Sequence, residues 1–257
     1  MFNNKTIVVT GAASGIGAAT AQLLAAQGAE VISVDLNDPA EPVGRFIRAD
    51  LSDPASIHRL VDALPAGIHG LANIAGVPPT RPAQQVLKVN LLGLKQLTLQ
   101  LVPKLADGAA IANLASLAGM GWPQAVAAIH ASESLDFDGV DAFCHAHGIE
   151  GARSYFFAKE ALIAWTLQNR WTWRSRGIRM NAVSPGPVDT PILGDFIETL
   201  GARAEEDMRV MDRPGRPSDI APVVAFLLSD AAGWILGTNI PVDGGMHAKL
   251  LCDMYGL

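Results

Sequence analysis

The sequence predicts an α/β fold: a single domain, residues 1–257, built on a doubly wound sheet of seven parallel strands with helices on both faces. Short runs rich in β-branched residues alternate with longer segments of helical period along the chain, which is typical of a parallel sheet. No repeat, low-complexity tract or linker divides the chain. With 257 residues, 49% of them hydrophobic, it can bury one large core.

The alternation defines each element in turn. The predicted strands are Lys5–Thr10, Glu30–Asp35, Arg45–Asp50, Gly70–Asn73, Ala109–Leu114, Ile178–Val183 and Ile240–Val242. The predicted helices are Ser14–Gly28, Asp53–Leu64, Arg81–Ala106, Ala152–Arg176, Ile192–Asp212 and Pro217–Ser229. In a sheet of this kind the ligand site lies at the carboxyl ends of the strands.

Residues 117–151 stand outside the alternation, between the fifth strand and its helix. They contain glycine, proline, histidine and several acidic residues, but no strand pattern. A connection of this length in a compact domain usually carries function or is disordered. We therefore expect an inserted segment that contributes to the substrate pocket or to an interface between subunits.

The composition favours a small-molecule ligand. A net charge of −6 and a pI near 5.4 give no reason to expect nucleic acid or an anionic membrane as a partner. No stretch approaches the roughly 20 apolar residues that span a bilayer, and the first residues do not form a secretion signal, so we expect a cytoplasmic protein. Cys144 and Cys252 lack the paired spacing of a zinc site, and we expect no metal.

Residues 10–17, Thr-Gly-Ala-Ala-Ser-Gly-Ile-Gly, follow the first strand and open the first helix. This is the context of a dinucleotide-binding turn in a Rossmann fold. Gly11 permits the tight turn, Gly15 lets the backbone approach a pyrophosphate, and Gly17 allows close helix packing. The N–H groups at the helix start would bind the anion. An ordinary glycine-rich turn is the alternative.

Asp35 closes the second predicted strand, 18 residues after Gly17. An acid at this place can accept hydrogen bonds from both ribose hydroxyls, and it would repel the 2′-phosphate of NADP. No Arg or Lys occurs among residues 36–44 to compensate it, so we expect NAD as the cofactor. An exposed strand-end aspartate is the competing interpretation. The predicted cofactor-binding residues up to the fourth strand are Gly11, Ser14, Gly15, Ile16, Gly17, Asp35, Asp50, Leu51, Asn73, Ala75 and Gly76.

Tyr155 is followed four residues later by Lys159 on a predicted helix, a spacing that places both on one face. A phenol is a poor acid or base at neutral pH unless a nearby cation favours the phenolate, so we expect Lys159 to lower the pKa of Tyr155. Lys159 has further donors for the nicotinamide ribose, which makes both residues part of the predicted cofactor site. A chance surface pair is the alternative.

Two more polar residues fit the same site. Ser116, just beyond the fifth strand, can hydrogen-bond a substrate oxygen and stabilise charge there. Asn90 lies in the long third helix, where its amide can bond the backbone or a water that leads to Lys159. Each has an ordinary alternative, Ser116 as a turn or cap residue and Asn90 as a solvated helix residue.

With these motifs the chain resembles the short-chain dehydrogenase/reductase family over nearly its full length. The matching motifs are Thr10–Gly17, Asn73–Gly76, Lys88–Asn90, Ser116, Tyr155–Lys159, Asn181 and Pro185–Thr190. The resemblance implies an NAD-dependent oxidoreductase acting on an alcohol or carbonyl. It implies a catalytic tetrad of Asn90, Ser116, Tyr155 and Lys159. It also implies that the nicotinamide carboxamide is held by Pro185, Gly186, Val188 and Thr190. In the family, helices equivalent to 81–106 and 152–176 commonly build a dimer interface, so we expect a homodimer or homotetramer.

The chain departs from most of the family in the 39-residue spacing from Ser116 to Tyr155. A similar lengthening occurs in the bacterial 3α-hydroxysteroid dehydrogenase/carbonyl reductases and coniferyl-alcohol dehydrogenases, and the runs at 73–78, 156–162 and 240–245 are more similar to the second group. A coniferyl-type aromatic alcohol is therefore the expected substrate. A hydroxysteroid enzyme and a non-catalytic NAD(H) sensor are the alternatives.

We expect the substrate wall to be formed by Gly119–Ile149 and Gly194–Met211, the two variable parts of the architecture. Trp122, Phe137 and Phe143 would then face an aromatic alcohol or, with equal weight, pack the insertion onto the body. Phe196 in the later stretch has the same two roles open. The histidines of the insertion are expected to be surface residues, and Met246–Leu257 is expected to cover the pocket or a partner subunit.

Overall fold

The computed structural model describes residues 1–201, 209 and 211–257, and its centre is one sheet of seven parallel strands. The strands are β1 Thr6–Thr10, β2 Glu30–Asp35, β3 Arg45–Arg48, β4 Ile68–Asn73, β5 Leu105–Leu114, β6 Arg179–Pro185 and β7 Asn239–Val242. Their order, β3-β2-β1-β4-β5-β6-β7, is doubly wound, with the reversal between β1 and β4. The predicted fold class is confirmed.

Helices cover both faces of the sheet. They are α1 Gly15–Ala26, α2 Pro54–Ala63, α3 Ala83–Leu87, α4 Leu94–Leu101, α5 Val126–Ala131, α6 Val140–Ala146, α7 Ala152–Gln168, α8 Leu193–Leu200, α9 Pro217–Leu228 and α10 Met246–Tyr255. Side chains along a strand alternate between two cores, so Val8 packs with α2, α4 and α7, whereas Ile7 and Val9 pack with α1 and α9. None of the described helices is long and apolar enough to cross a bilayer.

The single helix predicted over 81–106 is wrong in detail. The structure has α3, a π-helical turn at Lys88–Gly93, α4, and a 3₁₀ turn at Val102–Lys104. Pro103 lies in that last turn, where it cannot continue an α-helix. The helix predicted over 152–176 ends earlier, because the Asn169 side chain donates to the Trp165 carbonyl at 2.8 Å and caps α7.

The inserted segment packs against α7. It contains 3₁₀ turns at Leu117–Gly119 and Trp122–Gln124, followed by α5 and α6. The buried Phe143 ring of α6 lies 5.5 Å from the Phe157 ring of α7, centroid to centroid. Gln84 on α3 also donates to Asp141 on α6 at 2.5 Å. The insertion is therefore part of the core rather than a projecting arm.

Candidate active site

The turn between β1 and α1 is shaped by its glycines. Gly11 and Gly15 have φ angles of +71° and +54°, which residues with side chains rarely adopt. A Cβ atom on Gly11 would lie 2.8 Å from the backbone of Ala75, and one on Gly17 would lie 2.0 Å from the Gly11 carbonyl oxygen. Glycine is therefore required at all three positions.

The amino end of α1 offers donors for an anion. Ser14 is the N-cap, but its side chain makes no capping hydrogen bond. N–H groups at a helix start carry a partial positive charge and bind anions. A Cβ atom on Gly15 would lie 3.2 Å from Thr190, so the turn faces the segment after β6. This donor set fits the pyrophosphate of a dinucleotide.

Asp35 ends β2 beside the glycine turn. Its Oδ2 accepts a hydrogen bond from the Ala13 N–H at 3.0 Å, and its Oδ1 accepts one from the Asn37 N–H at 2.9 Å. The carboxylate is thus held next to the turn. An acid at this point of a Rossmann fold can accept hydrogen bonds from ribose hydroxyls.

Asp50 and Leu51 follow β3, which ends earlier than predicted, at Arg48. Asp50 Oδ1 accepts hydrogen bonds from the N–H and the hydroxyl of Ser52, both at 2.7 Å. Leu51 is buried, and its carbonyl oxygen would lie 2.0 Å from a Cβ atom on Gly93. Leu51 is therefore packed against the π-helical turn.

The end of β4 is fixed to the glycine turn through Thr10, a residue to which the sequence analysis gave no role of its own. The Thr10 hydroxyl oxygen accepts hydrogen bonds from the N–H groups of Ile74 at 3.0 Å and Ala75 at 3.1 Å. This pairing brings Ala75 and Gly76 to the same edge of the sheet as Gly11. The position of Thr10 between a strand and a glycine turn is the sequence feature from which this role could have been predicted.

Asn73 points away from that edge. Its buried Nδ2 donates to Thr98 Oγ1 on α4 and to Asn113 Oδ1 on β5, both at 2.9 Å. The Nδ2 group is committed to this network, while the buried Oδ1 has no hydrogen-bond partner among the described residues. What Asn73 can present to a cofactor is therefore its backbone.

Asn90 lies in the π-helical turn and is fully buried. Its Oδ1 accepts a hydrogen bond from the Val77 N–H at 2.8 Å, and its Nδ2 donates to the Val77 carbonyl at 2.9 Å. Widened helical turns of this kind are frequent at functional sites. The carboxamide bonds to the backbone and fixes the connection after β4.

Tyr155, Lys159 and Ser116 meet at the carboxyl end of β5. The Lys159 Nζ lies 5.5 Å from the centroid of the Tyr155 ring and donates to the Leu114 carbonyl at 2.6 Å. Ser116 is hydrogen-bonded to the Tyr155 side chain, and its Oγ also accepts from the Ala118 N–H at 3.2 Å. The Leu114 carbonyl has no side-chain signature in the sequence, so its part in holding Lys159 could not be predicted.

The electrostatics of this group differ from the prediction. Burial raises the pKa of Tyr155 to about 12, although the hydrogen bond with Ser116 opposes the rise. Burial also lowers the pKa of Lys159 to about 8. The prediction that Lys159 lowers the pKa of Tyr155 is wrong for the protein alone, because loss of hydration on burial raises this pKa and Ser116 is the group that lowers it. Tyr155 is therefore a protonated donor at neutral pH.

An open cleft with a volume of about 210 Å³ lies over these residues. Ser116, Tyr155 and Thr190 bring side-chain hydroxyls to it, and most of its other lining is apolar. The predicted cofactor residues that line it are Ile16, Tyr155, Pro185, Gly186, Val188 and Thr190. The arrangement can hold one polar oxygen at the bottom of a pocket with apolar walls.

The walls of the cleft are not those expected. From the described part of the insertion, Leu117 and Ala118 line it, whereas Phe143 packs against α7. The expected wall Gly119–Ile149 is thus wrong, because none of its residues lines the cleft. In the second expected wall, Gly194–Met211, the α8 residue Phe196 does line the cleft, and residues 202–208 and 210 lie outside the described residues.

The C-terminal helix α10 also reaches the cleft. Met246 and Leu250 line it, as expected for a tail that covers the pocket. Their four-residue spacing places both on one side of the helix. Neither was singled out in the sequence, although the apolar pair at helical spacing was the available signal.

The histidine and acidic side chains of the insertion lie on its surface. His130 Nδ1 lies 3.0 Å from Glu133 Oε1, and both side chains are exposed. Within residues 1–201, 209 and 211–257, no cluster of three or more His, Cys, Asp or Glu side chains is placed to bind a metal ion.

Comparison with known proteins agrees with this geometry. Residues 5–132 match the family model described as short chain dehydrogenase, and residues 139–247 match the model described as enoyl-(acyl carrier protein) reductase. A coniferyl-alcohol dehydrogenase of Pseudomonas sp. (strain HR199 / DSM 7063) is 42% identical over 249 residues, covering 95% of this chain and 97% of that protein.

The chain belongs to the short-chain dehydrogenase/reductase family. It is an oxidoreductase of that family, whose members use a nicotinamide cofactor and act on alcohols and carbonyls. A second relative in the family, a 3-alpha-hydroxysteroid dehydrogenase/carbonyl reductase of Comamonas testosteroni, is 32% identical and covers 95% of this chain and 97% of that protein.

Solved structures of short-chain dehydrogenase/reductases superpose on the whole fold. A 3-alpha-hydroxysteroid dehydrogenase from Pseudomonas sp. B-0831, solved with NADH, matches with a TM-score of 0.83 and 30% identity over 96% of this chain and 98% of that one. Levodione reductase matches with a TM-score of 0.77 and 27% identity over 96% and 99%.

Proposed function

We propose that this protein is an NAD(H)-dependent dehydrogenase that interconverts a coniferyl-type aromatic alcohol and its aldehyde. The observation that carries the proposal is the cleft, in which Tyr155 and Ser116 form a polar end and the surrounding walls are apolar. The coniferyl-alcohol dehydrogenase that is 42% identical supports the substrate class.

The proposed catalytic residues are Asn90, Ser116, Tyr155 and Lys159. Tyr155 would exchange a proton with the substrate oxygen at its Oη, donating it in reduction and taking it up as phenolate in oxidation. Ser116, which is hydrogen-bonded to Tyr155, would orient the same oxygen. When bound, the nicotinamide supplies the hydride acceptor or donor.

Lys159 and Asn90 would act through position and charge. The Lys159 ammonium lies beside the Tyr155 ring, where it favours the phenolate over the phenol whenever it is charged. Its bond to the Leu114 carbonyl keeps the long side chain in place. Asn90 holds Val77 and so shapes the wall that follows β4.

The cofactor would lie along the carboxyl edge, from Asp35 past the glycine turn to Thr190. The α1 donors would bind the pyrophosphate, and Lys159 would reach the ribose next to the nicotinamide. Arg48 pairs with Asp35 in the β2–β3 register, but its guanidinium is bound to Asp38 and is not directed to a 2′-phosphate. We therefore propose NAD rather than NADP.

A panel of alcohols tests this function. Purified protein would be mixed with NAD⁺ or NADP⁺ and a coniferyl-type alcohol, benzyl alcohol, cyclohexanol or a 3α-hydroxysteroid, and the absorbance of reduced cofactor would be followed. We expect kcat/KM for the coniferyl-type alcohol with NAD⁺ to exceed the others by about tenfold or more, the discrimination that an apolar pocket provides. A preference for NADP⁺, or no turnover of aromatic alcohols, would contradict the proposal.

A hydroxysteroid is the second candidate substrate. The observation that favours it is the solved 3-alpha-hydroxysteroid dehydrogenase with a TM-score of 0.83, together with the open, apolar cleft. A steroid with the highest kcat/KM in the panel would favour this candidate over the aromatic alcohol.

We also propose that the protein assembles as a homodimer. The insertion packs against α7 within one chain, because Phe143 lies on Phe157 and the 3₁₀ turns contact the helix. By covering part of α7, the insertion would block one interface of a tetramer and leave a dimer. Light scattering after size exclusion should give the mass of two chains, and a clean tetramer would contradict this assignment.

A further inference from the structure

The helix α8 presents one apolar side to the cleft. Leu193, Phe196 and Ile197 line it, at positions i, i+3 and i+4 of the helix. This spacing puts the three side chains on one face. The helix therefore lies across the cleft as an apolar cover.

Phe196 is the residue of this cover that reaches the chemistry. Its ring lies 4.8 Å from the Tyr155 ring, centroid to centroid, in an edge-to-face arrangement. Tyr155 is 8% exposed. A substrate that approaches the Tyr155 hydroxyl must therefore pass or displace part of α8, or bind under it.

Among the described residues, one side-chain hydrogen bond joins α8 to the connection after β4. Thr80 Oγ1 donates to Asp195 Oδ1 at 2.5 Å, between residues 115 positions apart in the chain. Thr80 belongs to the connection after β4, the same connection that Asn90 fixes through Val77. The bond thus spans the edge of the sheet from the β4 side to the β6 side.

We propose that Thr80 and Asp195 are positioning residues that latch α8 over the cleft and so place Phe196 on Tyr155. The bond is exposed, so its net contribution is small and it can break and reform as the cover moves. Such a latch would favour the closed cover once a flat apolar substrate fills the space beneath. The preference for a flat apolar substrate rests on the proposed function, whereas the hydrogen bond that latches α8 does not.

Amide hydrogen exchange of the free protein tests the latch without a substrate. Thr80→Val removes the donor at nearly constant shape and should speed exchange of residues 193–200 about fivefold, the change that one net hydrogen bond makes. Thr80→Ser and Asp195→Asn keep a donor and an acceptor and should exchange like the wild type.

The matched control is Thr172→Val. It removes another exposed threonine bond, from Thr172 Oγ1 to Asn169 Oδ1 at 2.9 Å, far from the cleft. Exchange of residues 193–200 should not change in this variant. Unchanged exchange in Thr80→Val, or equal acceleration in Thr80→Ser or Thr172→Val, would overturn the latch.

Kinetics test the positioning role. Thr80→Val should raise KM for the aromatic alcohol about fivefold, with kcat within about twofold and NADH affinity unchanged, and Thr80→Ser should restore KM. An unchanged KM, or a fall in kcat alone, would overturn the role. If the wild type oxidises no aromatic alcohol, the proposed substrate class fails, while the exchange experiment still decides the latch.

Discussion

The two sides of α7 bury opposite kinds of groups. Toward the cleft, Tyr155 and Lys159 lose hydration, which raises the pKa of the first to about 12 and lowers the pKa of the second to about 8. Toward the insertion, Phe157 is fully buried and packs on Phe143. Burial thus destabilises the charged forms of the side chains on one side of α7, and it stabilises the fold through apolar packing on the other side.

The difference between the two sides of α7 shows how a site of buried ionisable groups is held in place. Groups whose charged forms are destabilised by burial stay buried only where the surrounding structure is stable enough to keep them there. The insertion supplies that support, because it closes the apolar side of α7 within the same chain. Substitutions on the cleft side should therefore change activity, and those on the insertion side should change stability.

The largest effect is expected at Tyr155. Tyr155→Phe removes the hydroxyl that exchanges the proton, so kcat should fall about 10²–10⁴-fold, while NADH binding and the free energy of unfolding change little. Turnover with NAD⁺ and fluorescence titration with NADH measure the two effects. Tyr255→Phe, at the exposed second tyrosine, is the control and should be normal. Wild-type turnover in Tyr155→Phe would exclude the mechanism.

The counterpart on the other side is Phe157→Ala. Deleting a fully buried ring leaves a cavity, so the free energy of unfolding should fall by about 3–5 kcal/mol. The kcat of the protein that remains folded should stay within about twofold of the wild type. Urea unfolding and turnover measured on the same sample check both. Phe226→Ala, at a partly exposed ring, is the control for loss of an aromatic side chain.

Local patterns in the sequence were enough for much of this architecture. The strand β2 was predicted with its observed bounds, and the glycine turn has the positive φ angles that Gly11 and Gly15 imply. The four-residue spacing of Tyr155 and Lys159 predicted that they lie together on α7, as they do. These features depend on neighbours in the chain, which is why their residue types reveal them.

Features set by distant contacts could not be predicted in this way. The pKa of Tyr155 depends on how fully the fold buries it, and the sequence indicated only the nearby ammonium. The π-helical turn around Asn90 and the inward direction of Asn73 depend on packing against other elements. The aromatic residues of the insertion were equally compatible with a substrate wall and with packing onto the body. The contact between Phe143 and Phe157 shows that Phe143 packs onto α7.

A smaller effect is expected from the buried ammonium. Lys159 releases its proton near pH 8 in the folded protein but near pH 10.5 in the unfolded chain. Between these values unfolding takes up a proton, so stability rises with pH, by about 2 kcal/mol from pH 8 to pH 10. Above pH 10 Tyr155 makes stability fall as the pH rises, because its phenol ionises at a lower pH in the unfolded chain than in the folded protein.

Lys159→Met isolates this contribution. The variant has no ammonium to titrate, so the difference in the free energy of unfolding between wild type and variant should be constant below pH 8 and move in favour of the wild type above it. Urea unfolding at a series of pH values measures the difference. A difference that stays flat from pH 8 to pH 10 would show that Lys159 is hydrated in the folded protein.

The smallest effects come from two matched ring contacts, Phe143 with Phe157 and Phe196 with Tyr155. An aromatic pair contributes about 1 kcal/mol beyond its buried area. Phe143→Leu should therefore lower the free energy of unfolding by about that amount and leave kcat/KM unchanged. Phe196→Leu should lower kcat/KM for the aromatic alcohol about fivefold, because a loss of about 1 kcal/mol in binding corresponds to that factor. The free energy of unfolding of this variant should stay within about 0.5 kcal/mol of the wild type. If both variants lost stability equally, α8 would belong to the core, and the two sides of α7 would not differ in the way that their contacts indicate.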